Sequence, residues 1–147
     1  MFNKHHSIEV REQISLASAK SLITRPIHSR YKHGQFYSEK NKKYLHYRSS
    51  YELLAYQLFE SISKIVRYEV ESIRIEYFDK IKRHYVPDVL VTYDDDQKEL
   101  IEIKPKSFLN KSRNILKFEA AKKYAENNNL KFSILTEDSL KRIANVN

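Results

Sequence analysis

The residues best able to do chemistry lie in two short stretches, Pro87-Asp88 and Glu102-Ile103-Lys104. Side chains alternate faces along a strand. Glu102 and Lys104 therefore point the same way, about 7 Å apart, while Ile101 and Ile103 point into a core. On a preceding strand, Val86, Asp88 and Leu90 share one face, and Tyr85, Val89, Val91 and Tyr93 the other. A turn at Asp94-Asp95-Asp96, using Asp where Gly is usual, folds the two strands into a hairpin. Asp88 then comes opposite or diagonal to Glu102. Two neighbouring carboxylates repel unless a cation lies between them. Mg²⁺ suits such a place: it takes few protein oxygens and leaves room for water and phosphate. Asp88, Glu102 and the carbonyl of Ile103 make an open site for it, with Mn²⁺ as a substitute. A metal there polarises a phosphate and acidifies water. Lys104 positions that water or stabilises charge on the scissile phosphate. The chemistry this implies is metal-assisted phosphodiester hydrolysis. The bland alternative is a solvent-facing strand carrying Glu and Lys, with Pro-Asp as an ordinary turn.

Glu52 adds a third acid. It precedes Ala55, Tyr56 and Phe59 and lies beside an apolar helical stripe, where a carboxylate is costly without a partner. A helix packed on the sheet presents it to the same patch. It is equally natural as a first-turn acid favoured by the helix dipole.

The elements that must position these residues follow from pattern. Ser7 caps a helix from Ile8 to Leu22. Gln35 to Tyr47 reads as a hairpin with a polar turn over Ser38 to Lys43. Ser49 or Ser50 caps a helix to about Ile62, with Leu54, Leu58 and Ile62 as its buried stripe and Ala55 and Phe59 beside them. Val66 to Phe78 reads as a strand or a bent pair, and Arg83 to Tyr93 and Glu99 to Lys104 as strands. Asn110 to Asn127 is a helix with Ile115, Phe118, Ala121 and Ala125 inward. Lys131 to Leu135 is a strand, and Thr136 caps a last helix with Glu137 and Asp138 in its first turn. This order predicts an α/β fold: a mixed central sheet flanked by helices on both faces.

Composition bounds the function. The 147 residues contain no Cys and one Gly, Gly34. That excludes disulfides, thiolate metal sites, Cys nucleophiles and Gly-rich phosphate loops. No apolar run approaches the roughly 20 residues of a membrane span, and Met1 to Lys20 lacks the apolar region of a secretory signal. His5-His6 alone cannot close a metal shell. The formal net charge is +8, and residues 1–50 hold ten Lys/Arg against Glu9, Glu12 and Glu39. A basic front suits a polyanion, because neutralised phosphates release counterions; a solvated arm is the alternative. Tyr31, Tyr37, Tyr44 and Tyr47 interleave with Arg30, Lys32, Lys40, Lys42, Lys43 and Arg48, which suits nucleic acid. The same tyrosines also suit packing of the hairpin.

Four stretches together resemble the PD-(D/E)XK nuclease superfamily: Arg48-Ser49-Ser50-Tyr51-Glu52, His84-Tyr85-Val86-Pro87-Asp88, Leu100-Ile101-Glu102-Ile103-Lys104-Pro105-Lys106 and Lys131 to Asp138. They look most like TnsA-like transposon end-cleaving nucleases and head-completion nucleases of T4-type phages. The resemblance covers roughly residues 35–140. It implies a restriction-endonuclease-like fold, with Asp88 and Glu102 as metal ligands, Lys104 as the catalytic lysine and Glu52 as a helix-borne acid. Some TnsA-like members carry Gln where Glu102 stands; here the acid is present. The implied activity is Mg²⁺-dependent cleavage of DNA, with phosphate contacts from Lys40, Lys42, Lys43, Arg48 and Lys106. The implied setting is the host cytoplasm or the virion, with a homodimer or an assembly partner. The C-terminal domain of transposase-type TnsA proteins is expected to be missing after Asn147. Residues 1–34 form a basic helix and arm, and residues 35–147 the nuclease core. The alternatives are a non-catalytic DNA-binding or phage-assembly protein on the same fold, and a nuclease directed at RNA or repair intermediates.

Overall fold

The structure is a computed structural model that describes residues 33–145. The expected helix over Ile8 to Leu22 lies outside them. The described chain begins with a hairpin of β1 (Gly34–Ser38) and β2 (Lys43–Tyr47), followed by α1 (Ser50–Ser61). Ser49 is the α1 cap: it is extended, and its hydroxyl accepts from the Glu52 N–H at 3.1 Å. The Glu52 carboxylate reaches back and accepts from the Arg48 N–H at 2.8 Å. The exchange is a capping box displaced one residue outward. α1 buries Leu54, Ala55, Tyr56, Leu58 and Phe59, with Ile62 buried just beyond its end.

Six strands and two helices follow: β3 (Ile65–Val70), β4 (Ile75–Asp79), β5 (Ile81–Tyr85), β6 (Val89–Tyr93), β7 (Lys98–Ile103), α2 (Ser112–Asn127), β8 (Lys131–Leu135) and α3 (Glu137–Asn145). The central sheet has the order β3-β6-β7-β8. Its first two pairings are antiparallel and β7–β8 is parallel, with α2 as the crossover. A parallel pair needs such a connection. The sheet is mixed, as expected.

The core has two sides. Val89, Val91, Tyr93, Ile101, Ile103 and Leu135 pack against α1 and Leu140. On the other side Leu90 and Leu100 meet Ala121 of α2 together with Ile75, Tyr77 and Tyr85 of the separate β4–β5 hairpin. Helices therefore cover both faces.

One open alternative is settled and two expectations change. Val66 to Phe78 is the bent pair: β3 joins the central sheet and β4 leaves it, with Glu71 at the corner in a left-handed conformation (φ 53). Arg83 to Tyr93 is two strands rather than one. Pro87 has no N–H for a ladder, the chain bends at Asp88, and β5 pairs with β4 instead of β7. Strand parity does not cross that break, so Tyr85 ends on the side of Leu90 and Leu100. Third, Ile115 is not inward but 42% exposed. The buried stripe of α2 is Asn114, Phe118, Ala121 and Ala125. Asn114 sets it by donating to the carbonyl of Phe108 at 2.8 Å; Ile115, one residue on, is rotated about 100° from that stripe.

The Asp94–Asp96 turn forms as expected, with Asp96 at φ 68 and the Tyr93 N–H donating to Gln97 at 2.9 Å. Thr136 caps α3, its hydroxyl accepting from the Ser139 N–H at 3.3 Å. No helix among the described residues is long and apolar enough to cross a membrane.

Candidate active site

Asp88 stands where β6 begins. Its backbone carbonyl accepts from the Glu71 N–H at 2.9 Å, which ties it to the end of β3. Its side chain reaches the other way, and Oδ2 accepts from the Ile103 N–H at 2.7 Å. The β6–β7 register ends at Val89↔Ile101. One further step puts Asp88 opposite Glu102, on the same face.

Glu102 is 4% exposed. Its Oε1 accepts from the Tyr85 hydroxyl at 2.7 Å, and its Oε2 lies 3.3 Å from Lys104 Nζ. The structure thus brings Asp88, Glu102 and Lys104 together. Burial, then the charge of Glu102, pushes the Asp88 carboxyl up to about 8; the Ile103 N–H opposes this, Glu52 adds to it, and Lys104 opposes it. Burial and Glu102 push the Tyr85 hydroxyl upward, so it stays a donor.

The strand register also decides where the Ile103 peptide groups turn. Even-numbered residues of β7 turn their peptide groups to β8, as the Lys104 N–H does to Leu135 at 3.0 Å. Ile103 therefore turns its groups to the β6 side. The residue that would answer there is Pro87, which has no N–H to give. By this alternation the Ile103 carbonyl turns to the same side as its N–H, the side of Asp88.

Glu52 acts on Asp88 and on Tyr56 through its charge. It does not complete a cluster: among the described residues no three His, Asp or Glu side chains close on one point. The donors at the site are thus two carboxylates and a carbonyl. These are hard oxygens, and Mg²⁺ binds with few protein ligands and several waters. The set fits such an ion.

Arg48 pairs with neither a free surface nor the Glu52 side chain alone. Its guanidinium lies 2.6 Å from Glu71, whose bond holds it protonated, while its N–H serves Glu52. Lys40 has another task than the expected phosphate contact. Its ammonium donates to the carbonyls of Phe59, Ile62 and Ile65 at 2.8, 2.5 and 2.6 Å. Three donors are used on three acceptors, at the C-terminal end of α1, so nothing is left for a phosphate. Lys42 and Lys43 are exposed. Lys106 lies 3.2 Å from Asp138, with both side chains mostly in solvent. Tyr37 and Tyr44 stack edge-on across the hairpin at 5.0 Å, both exposed, and Tyr47 packs on the core.

Sequence reasoning missed Glu71, Tyr85 and Lys117. The Lys117 ammonium lies 5.7 Å over the Tyr85 ring. Burial, then Lys104, pushes its pKa down. A lysine next to the Asn114-Phe118-Ala121 stripe was the available signal.

The family model that describes the N-terminal part of TnsA-like endonucleases matches residues 63–137. That stretch contains Asp88, Glu102, Lys104 and Lys117 and leaves out Glu52. The chain is also 30% identical over 126 residues to the head completion nuclease of Enterobacteria phage T4, covering 69% of this chain and 84% of that one. The chain belongs to the TnsA-like endonuclease family. A TnsA-like nuclease fold accounts for the layers described above, a mixed sheet between helices.

Proposed function

We propose that this TnsA-like nuclease is a Mg²⁺-dependent endodeoxyribonuclease of a phage or mobile element, working in the host cytoplasm or the virion. The observation that carries the reading is the meeting of Asp88 and Glu102 beside Lys104, with Asp88 accepting from the Ile103 N–H. Asp88, Glu102 and Ile103 would hold the ion, and Mn²⁺ would serve in its place. When bound, the ion supplies charge to polarise the scissile phosphate. Lys104 holds the attacking water or the charge that builds on the phosphate. Tyr85 keeps Glu102 turned toward the site by donating to Oε1. Glu52 adds negative charge near Asp88, which favours a cation there. Lys42, Lys43, Arg48 and Lys106 contact the DNA backbone. Completion of phage heads, the task in the T4 relative's name, is the setting we favour.

Supercoiled plasmid tests this with Mg²⁺ or with EDTA. The wild type nicks only with Mg²⁺, and Lys104→Ala loses about 10²-fold or more in rate, as expected for a group that stabilises charge in the transition state. Equal nicking by Lys104→Ala refutes the assignment.

A further inference from the structure

The β4–β5 hairpin leaves the central sheet and carries two apolar side chains in water. Phe78 is 68% exposed and Ile81 is 58% exposed. They flank the turn at Asp79-Lys80, where Lys80 sits in the left-handed region at φ 69. The two do not share a face: Phe78 lies on the outer face with Glu76 and Lys82, while Ile81 lies at the tip end of the face that carries Tyr85, where Ile75, Tyr77 and Tyr85 are buried against α2. The tip is braced as well. The Asp79 carboxylate lies 3.7 Å from Arg83 and 3.2 Å from Arg113 on α2. Arg74, Lys80, Lys82 and Arg83 outnumber Glu76 and Asp79 along the hairpin, and Arg113 and Lys117 of α2 reach it at Asp79 and over the Tyr85 ring. Even with Lys82 paired to Glu76 at 3.7 Å, the hairpin keeps a net positive charge and ends in exposed Phe and Ile.

Its position links it to the site. β5 runs from Ile81 at the tip to Tyr85, whose hydroxyl is on Glu102. Four residues of strand span about 14 Å, or about four nucleotides along one DNA strand.

We propose that this hairpin is a wedge that enters a DNA groove and unstacks a base step about four nucleotides from the scissile bond. The substrate class it selects is duplex that is kinked, mismatched or branched there. The inference rests on the nuclease reading above. Proteins that kink DNA insert one or two apolar side chains between base steps and surround them with cations. A second copy of the chain is a poorer occupant: a stable interface buries about 800 Å² per partner, and two tip side chains supply about half of that at most.

The test uses the full chain in EDTA and duplexes carrying 2-aminopurine at successive positions around the cut mapped with Mg²⁺. Wild type raises the fluorescence about four nucleotides from the cut. Phe78→Ala/Ile81→Ala loses the rise and binds intact duplex about tenfold more weakly. It loses less on a duplex already mismatched at that step, where unstacking costs little. Its salt dependence stays the same, since no charge is removed. Phe78→Met, which keeps an apolar tip, keeps the rise. If wild type cuts DNA but the double variant leaves fluorescence and affinity unchanged, the wedge is refuted and the nuclease reading stands. If wild type neither binds nor cuts DNA, both fall. A wild-type dimer that the double variant turns into monomer assigns the tip to self-association and overturns the wedge.

Discussion

Asp88 and Glu102 face each other across a strand pair, and each is held by a neutral donor: the Ile103 N–H for one, the Tyr85 hydroxyl for the other. Neutral donors orient a carboxylate without cancelling its charge. Burial first, and then repulsion from Glu102, pushes the Asp88 carboxyl up to about 8, against about 3.9 in an unfolded chain. Between those values the folded state holds more protons than the unfolded state, so this residue makes stability fall as pH rises from about 4 to about 8. Asp88→Asn removes the effect. In EDTA the variant matches wild type near pH 4 and melts higher near pH 8, by something like 5 °C. Mg²⁺ then raises the wild-type melting temperature at pH 8 and leaves Asp88→Asn where it was. A difference in melting temperature that is constant from pH 4 to 8 contradicts this account. Parity along single strands was enough to pair Asp88 with Glu102 and Lys104 from sequence. Tyr85 was hidden because parity fails across Pro87, and Glu71 because only the bend after β3 brings its N–H to Asp88.

At the level of elements, the β1–β2 hairpin is tied to α1 through charge. Ser38 and Tyr68 donate to the Glu60 carboxylate, and Lys40 covers the carbonyls at the end of the helix. The last carbonyls of a helix lack intrahelical partners, and a cation is favoured beside them. Lys40→Met takes one donor from each of three carbonyls, of which that of Ile62 keeps the Ile65 N–H, and costs about 2 kcal/mol of stability. It leaves the salt dependence of DNA binding unchanged. Lys42→Ala/Lys43→Ala does the reverse: stability holds within about 0.5 kcal/mol, and the slope of log affinity against log salt flattens by up to about two. Urea melts and binding titrations at several salt concentrations read both. A flattened slope in Lys40→Met would return that residue to the DNA face. Composition could not separate Lys40 from its neighbours, because three lysines within four residues look alike until the turn aims one of them inward. The helices were more legible. Ser49, the Leu54-Leu58-Ile62 spacing and Thr136 mark their own ends and faces, whereas Ile115 followed its hydrophobicity and not the face that Asn114 anchors.

The whole molecule puts α1 on one side of the sheet and α2 with the β4–β5 hairpin on the other. The site lies where the two sides meet, with Glu52 coming from the first and Tyr85 and Lys117 from the second. The mixed, two-sided sheet could be read from the element order; the departure of β4–β5 from it could not, because that depends on which strand takes β5 as partner. On the proposed function, the Asp88–Glu102–Lys104 set found among the described residues cuts one strand per visit. A double-strand break then takes a second chain or a second visit. On supercoiled plasmid, at concentrations where the chain sediments as a monomer, nicked circles build up first and linear DNA follows after a lag. The nicking rate is first order in protein. Raising protein until a dimer forms shortens the lag only if two sites then face opposite strands. Linear product without a nicked intermediate from a sedimenting monomer cannot come from one site and would refute the one-set reading.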